Sequence, residues 1–158
     1  NKLVLGCTWA GGEESSHHPP DFLKAVGSGD SHTDGDSRSM TMREIAGIAM
    51  AFSFNRNLYG IILPLLMRIQ FRLWPTTGLL GHMEVDMVHN TLDNLHAINV
   101  PTLVITGTED RLIKPTSSEV IAKLIPNARL VKVDGGSHNF LIEMSGRFNR
   151  EVLNFLRA

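Results

Sequence analysis

The chain is short of cysteine, of charge imbalance and of uninterrupted apolar runs, and each shortage removes a class of protein. One cysteine, Cys7, cannot form an internal disulfide, so packing must hold the fold together. Its rarity points to a cytoplasmic compartment, and Cys7 itself reads as a small buried apolar residue. Fifteen Lys and Arg stand against sixteen Asp and Glu, a net charge of −1, which gives no general attraction for phosphate backbones or anionic membranes. Neither nucleic acid nor a membrane is therefore an expected partner. The longest apolar run, Leu58 to Met67, is broken by Pro64 and falls short of the roughly 18 residues a membrane span needs. The N-terminus lacks the basic, apolar and small-residue order of a signal peptide and does not begin with methionine, so Asn1 reads as an interior position of a longer chain.

What remains is an ordinary globular composition, 42% hydrophobic and 20% charged, enough for one core at this length. The run Lys2 to Thr8 is apolar without polar alternation, as for a strand buried on both faces of a parallel sheet. From Gly11 to Ser39 the chain turns to Gly, Ser, His, Asp and Pro, a long loop. His17, His18 and His32 with Asp30, Asp34 and Asp36 could be read as a metal site. Adjacent histidines point in different directions, however, and a solvated loop is the expectation, with no metal and no cofactor.

From Met40 to about His96 apolar residues recur at threes and fours, as in Met42, Ile45, Ile48, Ala49 and Phe52, which predicts helices broken at Trp74-Pro75. After Val100-Pro101 the pattern changes. Thr102–Thr106 and Arg129–Val133 are β-branched strands. Between them residues 116–125 form an amphipathic helix, with Ser117 or Thr116 as N-cap and Val120, Ile121, Leu124 and Ile125 inward. A last helix over residues 146–157 turns Phe148, Val152, Leu153, Phe155 and Leu156 inward. Strand, helix, strand, helix in this order predicts a parallel α/β sheet.

Catalytic groups of open parallel sheets gather beyond the carboxyl ends of the strands, where loops converge. Asp110 follows the strand 102–106 in Gly107-Thr-Glu-Asp110, and His138 follows the strand 129–133 in Asp134-Gly-Gly-Ser-His138. An aspartate facing a histidine fixes the imidazole tautomer and stabilises the imidazolium that forms on proton abstraction. The spacing alone equally allows Asp110 to cap a turn and His138 to satisfy a loop.

The stretch Val100 to Pro115, with a glycine turn leading to Asp110 and then a proline, resembles the segment that carries the triad acid in α/β-hydrolases. Leu130–Val133 with Gly135, Gly136, Ser137 and His138, followed by Phe140, Glu143 and the helix to Leu156, resembles that family's last strand, catalytic histidine and closing helix. Leu3 to Thr8 looks like the strand after the nucleophile helix, and His89-Asn-Thr-Leu-Asp93 is similar to the equivalent region of enol-lactonase-like carboxylester hydrolases. The resemblance implies a partial core over residues 1–12 and 97–158, containing about three parallel strands, with a loop and helical cap over 13–96. It implies Asp110 as triad acid, His138 as base and a small acyl substrate.

The chain departs from the family at the nucleophile, which should lie on a G-x-S-x-G elbow upstream of Lys2. Gly27-Ser-Gly29 and Gly135-Gly-Ser137 lack the spacing, and no nucleophile can be named. The expectation is a C-terminal fragment of a serine-type hydrolase of esters, lactones or related acyl compounds, inactive alone, since nucleophile, base and oxyanion hole act as a unit. The same scaffold serves dehalogenases, epoxide hydrolases, peroxidases and acyltransferases. The alternative is a non-catalytic binding protein on a truncated scaffold. An exposed sheet edge would favour self-association. The cap aromatics Phe52, Phe54, Phe71 and Trp74 suggest an apolar substrate, although such residues are more often packing.

Overall fold

Three short strands pair in parallel: β1 (Leu3–Gly6), β2 (Thr102–Gly107) and β3 (Ala128–Val133), in the order β1-β2-β3. The computed structural model of the chain describes residues 1–12, 49, 52–55, 62, 85 and 88–158. Most of the helical stretch expected over 40–96, and all of the histidine-rich segment from 13 to 39, lie outside those residues.

The register sets where the loops emerge. Leu3 lies opposite Thr102 and Gly6 opposite Ile105, while Gly107 lies opposite Val133. The carboxyl ends of β2 and β3 are therefore level, and β1 stops just short of them. All six residues of β2 are buried, whereas Leu3, Val4 and Leu5 of β1 are only half-buried. The expectation of a strand buried on both faces holds for β2 and fails for β1, which has a single strand neighbour among the described residues.

Successive side chains of β2 point to opposite faces. Val104 joins Ala10, Leu95, Ile121 and Ile125 on one side, and Leu103 and Ile105 join Val133, Phe140 and Phe155 on the other. Helix α1 (Pro115–Leu124) packs with the first set; α2 (Phe140–Glu143) and α3 (Ser145–Arg157) pack with the second. Each fully buried Leu, Ile or Phe in these clusters contributes about 1.5–3 kcal/mol of transfer free energy. A short 3-10 helix, Leu92–Ala97, delivers Leu95 to the first cluster.

Two details of the helices differ from their sequence patterns. α1 starts at Pro115 with Lys114 in the cap position and no side-chain cap bond, because proline at the first helical position is already set for the helix. Ser117 is instead buried within the first turn. In α3, Phe148, Val152 and Phe155 form one stripe at i, i+4 and i+7, leaving Leu153 and Leu156 about 100° round the helix and nearly half exposed, at 45% and 48%. Leu124, where the chain leaves α1, is also exposed. Among the described residues no helix is long and apolar enough to cross a membrane.

Candidate active site

The loop after β2 is built around one carboxylate. Asp110 Oδ1 accepts hydrogen bonds from the amides of Leu112, at 2.9 Å, and Ile113, at 2.8 Å. Its other oxygen, Oδ2, lies 2.9 Å from His138 Nδ1. Turn capping and histidine pairing, the two roles that the sequence left open, are thus both filled, one by each oxygen.

An ionised carboxylate can only accept, so the proton of this pair sits on His138 Nδ1 and the lone pair of Nε2 is free to take another. Burial separates the two roles. The Asp110 side chain is fully buried and that of His138 is 22% exposed. The acid is sealed in the protein, while the imidazole is partly exposed.

The two loops approach because their backbones carry almost nothing between them. A Cβ at Gly107 would stand 2.1 Å from the carbonyl oxygen of Gly136, well inside any allowed contact. The carbonyl of Val133 accepts from Thr108 N and Gly136 N, Glu109 N donates to Gly136 O at 2.9 Å, and Gly135 N donates to Thr108 Oγ1 at 2.9 Å. Gly135 holds φ at +68°, a left-handed turn that glycine takes without strain. Behind His138, the buried Ser137 hydroxyl donates to Glu143 Oε2, and Phe140 N donates to Ser137 O at 3.2 Å, fixing the histidine loop to α2.

Cys7, read from sequence as a simple core residue, lies beside this pair just beyond the carboxyl end of β1. Its amide donates to Ile105 O at 3.0 Å, and its φ of +45° is uncommon for a residue with a side chain. One ligand-type atom each of Cys7, Asp110 and His138 lie within 4.8 Å of one another. Burial first, and the Asp110 charge second, push the thiol up to about 12. Cys7 therefore keeps its proton at neutral pH. His17, His18 and His32 with their neighbouring aspartates lie outside the described residues.

The structure brings Asp110 and His138 together as their strand-end positions imply. Sequence reasoning missed Cys7, although the strand-end rule applied to β1 points to it. It also missed the Gly107 contact with Gly136, the Ser137 to Glu143 bond, and Asn55, whose amide donates to Gly135 O at 2.7 Å and Glu109 Oε2 at 3.2 Å.

The family model for the alpha/beta hydrolase fold matches residues 63–144. A 2-hydroxymuconate semialdehyde hydrolase of Pseudomonas putida is 42% identical over 71 residues, covering 45% of this chain and 25% of that protein. Among solved structures, a hydrolase from Pseudomonas aeruginosa superposes with a TM-score of 0.73 at 24% identity, over 99% of this chain and 56% of that one. An enol-lactonase from Burkholderia xenovorans does so with a TM-score of 0.72 at 24% identity and the same coverage. The chain thus spans little more than half the length of these solved proteins.

Proposed function

Because the chain belongs to the α/β-hydrolase fold family, we propose that it carries the acid and the base of a serine-type hydrolase acting on an ester, lactone or related acyl substrate. The observation that carries this reading is the 2.9 Å hydrogen bond between Asp110 and His138 on the loops of adjacent parallel strands.

In this mechanism His138 Nε2 takes the proton of a serine hydroxyl as its oxygen attacks the acyl carbon, then returns it to the departing oxygen; a water repeats the cycle to free the acid. Asp110 holds the ring in the productive tautomer and stabilises the imidazolium. The 158 residues contain no G-x-S-x-G sequence, so the serine is supplied by chain outside them, together with oxyanion donors. Acid and base without those groups have no bond to act on, and residues 1–158 alone are inactive.

The wider arrangement belongs to the same proposal. Residues 13–96 serve as a cap over the acyl group, and the bridge between Gly11 and Asn90 draws together the two ends of that segment. A small acyl compound is the partner, with neither nucleic acid nor membrane involved, and the single cysteine, Cys7, supports a cytoplasmic location. The outer edge of β1, unpaired among the described residues, supports self-association of the isolated chain, seen as a sedimentation coefficient that rises with concentration.

The test is turnover of p-nitrophenyl butyrate by the polypeptide translated from the whole reading frame that encodes these residues. Loss of roughly 10⁴-fold in kcat is expected for His138→Ala, and a comparable loss for Asp110→Asn. Absence of turnover in the wild-type polypeptide would favour a binding protein on a hydrolase scaffold, and undiminished turnover in either variant would remove that residue from the chemistry. Hydrolysis by purified residues 1–158 that His138→Ala abolishes would contradict the claim that the nucleophile lies outside them.

A further inference from the structure

Residues 52–55 touch the neighbours of both site residues, although they stand far from either in sequence. On the acid side, the Arg111 guanidinium lies over the Phe52 ring, 4.6 Å from its centroid, and Asn55 Nδ2 donates to Glu109 Oε2 at 3.2 Å. On the histidine side, Asn139 N donates to Ser53 O at 2.9 Å, and the same Asn55 nitrogen donates to Gly135 O at 2.7 Å. The residues immediately before and after Asp110, and residues close on either side of His138, are therefore held by one four-residue segment. That segment is itself anchored: Ser53 and Phe54 are each 3% exposed, and Ser53 Oγ donates to Ala49 O at 2.7 Å.

From this arrangement we infer that Asn55 is a positioning residue for the Asp110–His138 pair, its amide tying the acid loop to the histidine loop. The inference rests on the proposed roles of those two residues but makes a separate claim. Backbone bonds already join the loops at Thr108 and Gly136, next to the strands. Asn55 adds a side-chain tie at Glu109 and Gly135, residues those bonds also engage, and so braces the left-handed turn at Gly135 from a third segment. A primary amide offers two N–H donors, so one nitrogen can serve an acceptor on each loop. The Asp110 side chain also spans the two loops, bonding to the amides of Leu112 and Ile113 and to His138, and Asn55 does so from a segment outside both.

The experiment uses residues 1–158 labelled with 15N, and reads the His138 Nδ1 proton: its chemical shift and its rate of exchange with water. Asn55→Ala removes both donors, and the Nδ1 proton should then exchange roughly five- to tenfold faster, the change in an opening equilibrium for one lost hydrogen bond. Ser53→Ala, which deletes a buried bond of the same segment but leaves the Asn55 bridge, should leave that rate within about twofold of the wild type. If Asn55→Ala does not fold, Asn55→Asp decides: it keeps the shape and removes the donors, and should speed exchange as much or more. Unchanged exchange in a folded Asn55 variant, or equal acceleration in Ser53→Ala, overturns the inference. A wild-type spectrum without a hydrogen-bonded Nδ1 proton would instead sink the pairing of Asp110 with His138, and this inference with it.

Discussion

Gly107 and Gly136 meet backbone to backbone at the ends of β2 and β3, leaving no room for a Cβ on the first of them. A methyl group there must push the histidine loop away from the acid loop. Gly107→Ala is expected to cost about 1–3 kcal/mol of stability, the range for overpacking a tight contact. Gly146→Ala is the control. Nothing lies within 4 Å of a Cβ at that exposed position in α3, and replacing glycine within a helix should gain roughly 0.5–1 kcal/mol. Urea unfolding midpoints of the two variants should therefore move in opposite directions.

Asp110 satisfies two backbone amides as well as the imidazole, which separates the effects of its two obvious replacements. Asp110→Ala removes the acceptor that Asp110 offers the amides of Leu112 and Ile113, the second of them buried, and should destabilise the chain by about 2–4 kcal/mol. Asp110→Asn keeps an oxygen for those amides and should cost less than half as much. It turns a donor toward His138, however, and should shift the imidazole to the Nε2-protonated tautomer, read from the 15N shifts of the ring. Equal stability loss in the two variants would contradict the assignment of one oxygen to each role.

Cys7 makes the stability of the chain depend on alkaline pH. Burial pushes its thiol from the ordinary 9.0 up to about 12. Below pH 9 both folded and unfolded chains hold the proton. Between 9 and 12 the unfolded chain releases it while the folded chain does not, so stability falls as pH rises through that window. Cys7→Ala should lose less stability than the wild type between pH 8 and 10.5, measured as the shift in urea midpoint. The native thiol should also react with iodoacetamide far more slowly than the unfolded one at pH 8.

Ser137 holds the carboxylate of Glu143 against the back of the histidine loop, and the other oxygen of that carboxylate is buried with no hydrogen-bond partner among the described residues. Ser137→Ala would leave both oxygens unsatisfied, for an expected loss of about 1–3 kcal/mol. Ser137→Thr keeps the hydroxyl and should keep more of the stability, although its extra methyl enters a fully buried site. Thermal unfolding of the pair would rank them.

The strands and their parallel arrangement were legible because they depend on local pattern, β-branched runs and glycine turns, whereas spacing alone left the Asp110–His138 pair open and the family resemblance implied it. The inward faces of the helices were read less well. Leu153 and Leu156 carry the same hydrophobicity as Val152 and Phe155, and composition does not say which side of α3 meets the sheet. Cys7 escaped because an isolated apolar residue gives no sign of its surroundings until the register places it beside Asp110. Asn55 was invisible for a different reason: its partners stand 54 and 80 residues away, and no local period encodes such a contact.

His138 follows Asp110 by only 28 positions, within a single strand, helix and strand. Both proton-handling residues of the proposed chemistry thus lie on one contiguous stretch of chain. A crossover upstream of residue 49 would carry that stretch and its Asn55 tie together, leaving the Asp110–His138 bond in place beside a different nucleophile-bearing half.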